Sequence, residues 1–241
     1  MMNSKTDLDL LFDTSIIETA FIRNKHISYI KSDNCIGATI RNGHFWELWM
    51  LKYIQENYIE NTNMIDLGGN IGTTTLLMSE VLSDNCKIHV FEPIYNDILY
   101  KNIKDNNLTD KIEVYPYGVG NKQEILKIKN VDLRSNMNFG AVSIIHNLEN
   151  NENSFKINII PLDNFNFQNI SLIKIDVEHM EIEVLEGSIE LIERCKPTII
   201  IETYQLDKLK DTTVFKKLTN LGYVVTPIQE GYFDFIMKIA N

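Results

Sequence analysis

The sequence is poor in cysteine and in positive charge, and it has no long apolar run. Its 241 residues include three cysteines, Cys35, Cys86 and Cys195, far apart and odd in number. Neither Cys-x-x-Cys nor a Cys/His ligand spacing occurs, so neither a disulfide framework nor a zinc site is expected. That cysteine usage points to a reduced, cytoplasmic compartment. Lys and Arg number 23 against 33 Asp and Glu, a formal net charge of -10, and no dense basic run is present. A chain this acidic repels phosphate backbones, which argues against nucleic acid as the substrate. No apolar stretch approaches the roughly 20 residues that span a bilayer. The start, MMNSKTDLDLLFD, lacks the basic and then apolar regions of a signal peptide.

What is present is a core-forming chain. Hydrophobic residues make up 44%, enough for one α/β domain, and 23% charged with 10% aromatic residues argue against disorder. The pattern predicts an N-terminal cap over residues 1–60 and a main domain over 61–241. In the cap, His26–Lys31 and Cys35–Arg41 read as strands around the turn Ser32-Asp33-Asn34, and Phe45–Ile59 as an amphipathic helix. From Met64 onward strands alternate with helices. Strands are expected at Asn63–Leu67, Lys87–Glu92, Ile112–Tyr117, Leu172–Asp176 and Thr198–Glu202. Helices are expected at Thr73–Leu82, Asn96–Asn106, Glu181–Glu193 and Thr213–Leu221.

Short, wholly apolar strands such as Thr198-Ile199-Ile200-Ile201 suit the centre of a parallel sheet covered on both faces. Tyr223–Gln229 and Tyr232–Ala240 are separated only by Glu230-Gly231, so they must pair antiparallel. The expected fold is therefore α/β, a Rossmann-like class I methyltransferase arrangement: a mostly parallel seven-stranded sheet with a C-terminal antiparallel hairpin and helices on both faces. Between Asn121 and Asp163 lies an insertion with strands at Glu124–Lys129 and Lys156–Leu162. An exposed loop is expected around Asn147, Asn150, Asn151 and Asn153.

Three constellations carry chemistry. The first, Asp66-Leu67-Gly68-Gly69-Asn70-Ile71-Gly72, follows an apolar strand and opens a helix at Thr73. Its glycines let the backbone turn sharply beside a ligand, and the helix N-terminus offers N–H groups to a carboxylate. The methionine arm of S-adenosyl-L-methionine has such a carboxylate, and an ammonium that Asp66 or loop carbonyls would neutralise. Asn70 and Thr73 break the Gly-x-Gly-x-x-Gly dinucleotide spacing. The second is Glu92, in His89-Val90-Phe91-Glu92-Pro93, placed at a strand end to take ribose hydroxyls. Gly118 and Val119, at the next strand end, sit where the adenine would lie.

The third, Leu172-Ile173-Lys174-Ile175-Asp176-Val177-Glu178-His179-Met180-Glu181, puts acids at the end of a central strand. Asp176, Glu178 and His179 are the candidate catalytic residues, because methyl transfer to a hydroxyl requires that its proton be taken. Asp176 also belongs to the expected cofactor set, with Asp66, Gly68, Asn70, Gly72, Thr73, Glu92, Gly118 and Val119. Trp46-Glu47 and Asn138-Phe139-Gly140-Ala141 are weaker candidates for the walls of the site. Asp176 and Glu202 are oxygen donors at adjacent strand ends, but no metal is expected.

These pieces together resemble the FkbM family of S-adenosylmethionine-dependent methyltransferases. The resemblance covers roughly residues 60–205. It rests on the glycine loop, Val90-Phe91-Glu92-Pro93, Gly118-Val119-Gly120, Pro161-Leu162-Asp163, and above all Ile173-Lys174-Ile175-Asp176-Val177-Glu178 followed by Glu181 and Leu185-Glu186-Gly187. Pro197-Thr198-Ile199-Ile200-Ile201-Glu202 completes it. The resemblance implies O-methylation of a hydroxyl on a sugar, glycan or small metabolite. The family usually has Gly where this chain has His179, and often Ala where it has Gly69. A nicotinamide-dependent oxidoreductase and a non-catalytic S-adenosylmethionine-binding protein are the alternatives.

Overall fold

The computed structural model describes residues 13–151 and 154–240. Asn153, expected in the exposed loop, lies outside them, as do residues 1–12. The chain begins with a hairpin, β1 (Ile17–Ile22) and β2 (Lys25–Ile30), followed by helices α1 (Ile36–Arg41) and α2 (Met50–Asn57). The main alternation is β3 (Asn63–Leu67), α3 (Thr73–Val81), β4 (Ile88–Phe91), α4 (Asn96–Asp105) and β5 (Ile112–Tyr115). It resumes with β9 (Ile170–Ile175), α5 (Glu181–Glu186), α6 (Ile189–Cys195) and β10 (Thr198–Glu202). It ends with α7 (Leu206–Lys210), α8 (Thr213–Asn220), β11 (Tyr223–Pro227) and β12 (Asp234–Ile239).

The main sheet has seven strands in the order β11-β12-β10-β9-β3-β4-β5. Neighbours from β5 to β10 pair parallel, and β12 runs antiparallel to both β10 and β11. The fold is thus the expected α/β one, with its mostly parallel sheet and terminal hairpin. Successive strand residues point to opposite faces, and the two faces bury separate clusters. Met64, Leu172 and Ile200 pack with residues of α2, α3 and α4. Ile65, Ile173 and Ile199 pack with residues of α5, α6, α7 and α8. All six residues of β9 are buried, as a strand covered on both faces requires.

The insertion builds its own sheet from β6 (Gly118–Val119), β7 (Glu124–Ile128) and β8 (Phe155–Ile160), in the order β6-β8-β7. The strand expected over Ile112–Tyr117 therefore ends at Tyr115, and Gly118–Val119 pairs with Ile159–Ile160 instead.

Three further expectations are corrected. Cys35–Arg41 is helical over Ile36–Arg41, with Ile36 and Ile40, one turn apart, both buried. The expected helix Phe45–Ile59 starts only at Met50, because Glu47 adopts a left-handed φ of 50°. The expected helix Glu181–Glu193 is two helices broken at Gly187-Ser188. A Cβ at Gly187 would overlap the Gly120 carbonyl, so this break packs directly on the end of β6. Asp163 caps the second helix, its carboxylate accepting from Glu190 N at 3.1 Å and Leu191 N at 2.8 Å.

The N-terminal hairpin is tied to the main domain by α4. Ser28 N donates to Asn102 Oδ1 at 2.6 Å, and Asn102 Nδ2 donates to the carbonyls of Ser28 and Ile71 at 2.9 and 2.7 Å. One turn on, Asn106 makes the same pair of bonds to the backbone of His26, at 2.9 and 2.7 Å.

Candidate active site

The strand order reverses at β3, which has β4 on one side and β9 on the other. Open α/β sheets bind ligands at such a switch point, beyond the strand C-termini. A cleft of about 330 Å³ lies there. Its walls include Gly68, Asn70, Thr73, Glu92, Val119 and Asp176.

The glycine loop leaves β3 under tight steric control. Gly68 has φ 83°, and a Cβ there would overlap the carbonyl oxygen of Asp176. The loop's own N–H groups are occupied: Gly68 and Gly69 donate to Phe91 O, Asn70 to Glu92, Ile71 to Asn70 Oδ1 and Gly72 to Gly69 O. Helix geometry leaves the first-turn N–H groups of α3 without an intrahelical acceptor, and Thr73 and Thr74 of that turn line the cleft. The N–H groups left free for a ligand at this end of the cleft are therefore those of the helix start. At Gly69, a Cβ would run into Val90 Cγ2 on the neighbouring strand, which accounts for glycine there in this chain.

Glu92 is buried and knits two segments together. Its Oε2 accepts from Asn70 N at 2.9 Å, and its Oε1 from Ile94 N and Tyr95 N at 2.7 and 2.9 Å. Oε1 has both lone pairs engaged, and Oε2, with one bond, keeps a lone pair for a hydroxyl. The Tyr95 hydroxyl, also on the cleft wall, is buried and has no hydrogen-bond partner among the described residues.

The opposite wall is acidic. Lys174 is buried beneath it, with Nζ 2.9 Å from Asp176 Oδ2 and 3.9 Å from Asp66 Oδ1. Burial alone would lower the Lys174 pKa, but Asp176, Asp66 and Glu47 outweigh it and hold the ammonium charged. Glu178 is pushed up to about 8 by burial and by Asp176, Glu202 and Glu181. Glu47 also rises to about 8, through burial and then Asp176, Asp234 and Glu202, against the pull of Lys174. Neither makes a side-chain hydrogen bond among the described residues. Carboxyls raised this far are mostly protonated at neutral pH, and a cation entering the cleft would re-ionise them.

Gly68, Asn70, Thr73, Glu92, Gly118, Val119, Asp176 and Glu178 all line the cleft. Asp66, Gly72 and His179 do not. Asp66 is fully buried behind the loop, where Thr75 Oγ1 donates to it at 2.5 Å. Gly72, at φ 96°, faces Leu99. His179 is half-buried beside the cleft, its ring 4.5 Å from that of His146 and 5.6 Å from that of Tyr204. Its φ of 80° follows the φ of 52° at Glu178, so glycine would fit the position more easily. Burial and His146 lower its pKa.

Trp46-Glu47 and Asn138-Phe139-Gly140-Ala141, the weaker candidates, also form walls of the cleft. Sequence reasoning missed Tyr95, Lys174 and Tyr204. The signal for Lys174 was a lysine inside an otherwise apolar strand flanked by acids. Among the described residues no group of His, Cys, Asp and Glu has the geometry to hold a metal, and no helix is long and apolar enough to cross a membrane.

A family model, described as the methyltransferase FkbM domain, matches residues 66–225. Among solved structures, a methyltransferase FkbM from Methylobacillus flagellatus KT aligns with a TM-score of 0.50 at 18% identity. The alignment covers 79% of this chain and 50% of that one, so this chain spans half that protein's length. A putative rRNA-methylase from Clostridium thermocellum aligns with a TM-score of 0.49 at 14% identity, covering 80% and 95% of the two chains. An O-methyltransferase from Bacillus cereus in complex with SAH aligns at 0.46 and 16%, covering 81% and 82%. At these identities the likeness concerns the fold alone. No curated protein gives a significant match.

Proposed function

The chain belongs to the FkbM methyltransferase domain family, and on that premise we propose that it transfers a methyl group from S-adenosyl-L-methionine to a hydroxyl of a sugar, glycan or small metabolite. One observation carries the reading: a switch-point cleft has a helix N-terminus and Glu92 at one side and unpartnered carboxyls at the other. That is the polarity of a ligand with a carboxylate, a ribose diol and a sulfonium. The cofactor supplies the electrophilic methyl. Thr73 and Thr74 N–H groups hold its carboxylate, Glu92 its ribose hydroxyls, and the Tyr95 hydroxyl gains the partner it lacks. Gly118 and Val119 floor the adenine end.

Asp176, held by Lys174, and Glu178 face the reacting centre. Glu178, with its pKa near 8, takes the proton of the acceptor hydroxyl as the oxygen gains the methyl. His179 stands outside that wall and acts on the acceptor side or on loop conformation. Of the N-terminal cap over residues 1–60, the described part from residue 13 onward serves to cover one edge of the cleft, through Cys35, Ile36, Trp46 and Glu47. Alignment of acceptor oxygen, methyl and sulfur supplies much of the acceleration. The net charge of -10 disfavours nucleic acid as acceptor.

Calorimetry tests the cofactor: S-adenosylhomocysteine should bind and a nicotinamide dinucleotide should not, and the reverse preference defeats the proposal. Labelled-methyl transfer to fractionated metabolites and glycans then identifies the acceptor. Binding without transfer to any fraction would favour the non-catalytic reading.

A further inference from the structure

A second cavity, an open pouch of about 500 Å³, adjoins the cleft and shares Trp46, Glu47, Glu202 and Tyr204 with it. It leads from the reacting centre to solvent, where an acceptor would approach. Its aromatic wall is Trp46, Trp49, Tyr204, Tyr232 and Phe233. Tyr232 is 95% exposed, Tyr204 49% and Phe233 45%, and the last two rings stand 4.3 Å apart. Exposed aromatics gathered at one mouth are costly in water and mark a binding surface.

The charge in this pouch has one sign. Glu47, Glu202, Glu230 and Asp234 line it, with no Lys, Arg or His among the lining residues. Glu230 is already satisfied, bonded to Tyr53 and 3.5 Å from Lys52 Nζ. Asp234 is not. It is only 7% exposed, it belongs to the pouch and not to the cleft, and its carboxylate makes no hydrogen bond or ion pair among the described residues. Burial, then Glu202 and Asp176, push it up to about 7, with Lys174 pulling the other way. The cofactor's sulfonium would answer the acids of the cleft. It would not answer a buried, unpartnered carboxyl in the neighbouring pouch.

Resting on the methyltransferase reading, we propose that the pouch of Trp46, Trp49, Tyr204, Tyr232, Asp234 and Glu202 is the acceptor subsite for an organic ammonium group, so that the methylated compound is a hydroxylated amine. Aromatic faces attract organic cations, more strongly once desolvated, and a cation seated among them would bring an opposite charge to the Asp234 carboxylate. The same pouch repels a phosphorylated or nucleotide-linked acceptor.

The test uses the full chain, with and without saturating S-adenosylhomocysteine, titrated with choline and with its neutral carbon isostere, dimethylbutanol. Tryptophan fluorescence reports Trp46 and Trp49, and calorimetry gives the affinities. Choline should bind at least about tenfold tighter than the isostere, the size of a modest desolvated cation–π contact. Asp234→Asn should lower that ratio several-fold, leaving the aromatic share, while the S-adenosylhomocysteine affinity stays as it was. Tyr232→Ala, at a side chain with no packing to lose, should weaken choline several-fold and keeps the test decisive if Asp234→Asn does not fold. Equal affinity for choline and the isostere, or binding of neither, overturns the proposal. Because the titration is also run without cofactor, a protein that failed to bind S-adenosylhomocysteine would count against the methyltransferase reading and still report on the pouch.

Discussion

Asn102 is where the fold and the site meet, and its removal has a calculable cost. The side chain is fully buried and joins β2 to the glycine loop through Ser28 N, Ser28 O and Ile71 O. In Asn102→Ala these backbone groups lose their partner where water cannot replace it. An unsatisfied buried group costs about 1–3 kcal/mol, so the three together lose about 3–9 kcal/mol. For a chain of this size each kcal/mol moves Tm by about 2–4 °C, giving a fall of at least about 6 °C. Asn106→Ala is the internal control. It removes two bonds of the same kind at an exposed site where water substitutes, and a third, part-buried bond to the Asn102 carbonyl, so its cost should stay at about 1–2 kcal/mol. Thermal and urea unfolding of the two variants measure the difference. Similar losses for both would refute the reasoning, since they share bond type and differ in burial. The Ile71 bond adds a functional consequence: S-adenosylhomocysteine affinity should fall in Asn102→Ala and hold in Asn106→Ala.

Four other outcomes are expected. Gly68→Ala should abolish cofactor binding, because the added methyl overlaps the Asp176 carbonyl, whereas Gly43→Ala, also at positive φ but with open space around it, should cost only stability; a calorimetric titration of each decides. Glu92→Gln replaces an acceptor oxygen by a donor against backbone N–H groups and should weaken S-adenosylhomocysteine binding more than about tenfold. His179→Gly should leave cofactor affinity nearly unchanged and alter turnover, and relief of the left-handed φ should offset much of the lost ring packing; loss of cofactor binding in a folded variant would place the residue in the wrong pocket. Glu47, Glu178, Glu181 and Asp234 have folded pKa values raised to between about 7 and 8, above their unfolded values, so the native state holds more protons than the unfolded one across that window. Stability of the ligand-free protein should therefore fall as pH rises from about 5 to about 8, and a melting series that rises over that range would contradict it.

The parallel sheet was legible because burial on both faces leaves a plain mark, runs such as Ile173-Lys174-Ile175 and Ile199-Ile200-Ile201. The hairpin was legible because two residues cannot connect parallel strands. The Ile36–Arg41 helix was not, since its β-branched isoleucines read as strand until β2 and Phe139 supplied a surface one turn wide. β1 carries no legible pattern, because only one of its six residues, Ile17, is buried. The break at Gly187 required knowing that the Gly120 carbonyl would lie against it.

The sequence by itself determined which segments become the strands of the main sheet, where the glycine loop and strand-end acids lie and which family the chain resembles. Those properties depend on local periodicity, on glycine spacing and on residues close together in the chain. Only the tertiary structure decided which acids share one electrostatic environment. Glu47, Glu202 and Asp234 come from three separate segments, and their protonation depends on burial, on the charges they bring near one another and near Asp176, and on the ammonium of Lys174. It also decided that Glu178 lines the cleft and His179 does not, two consecutive residues that both take a left-handed φ before α5. Side-chain direction and local potential depend on what packs from elsewhere in the fold, and a one-dimensional pattern does not record that.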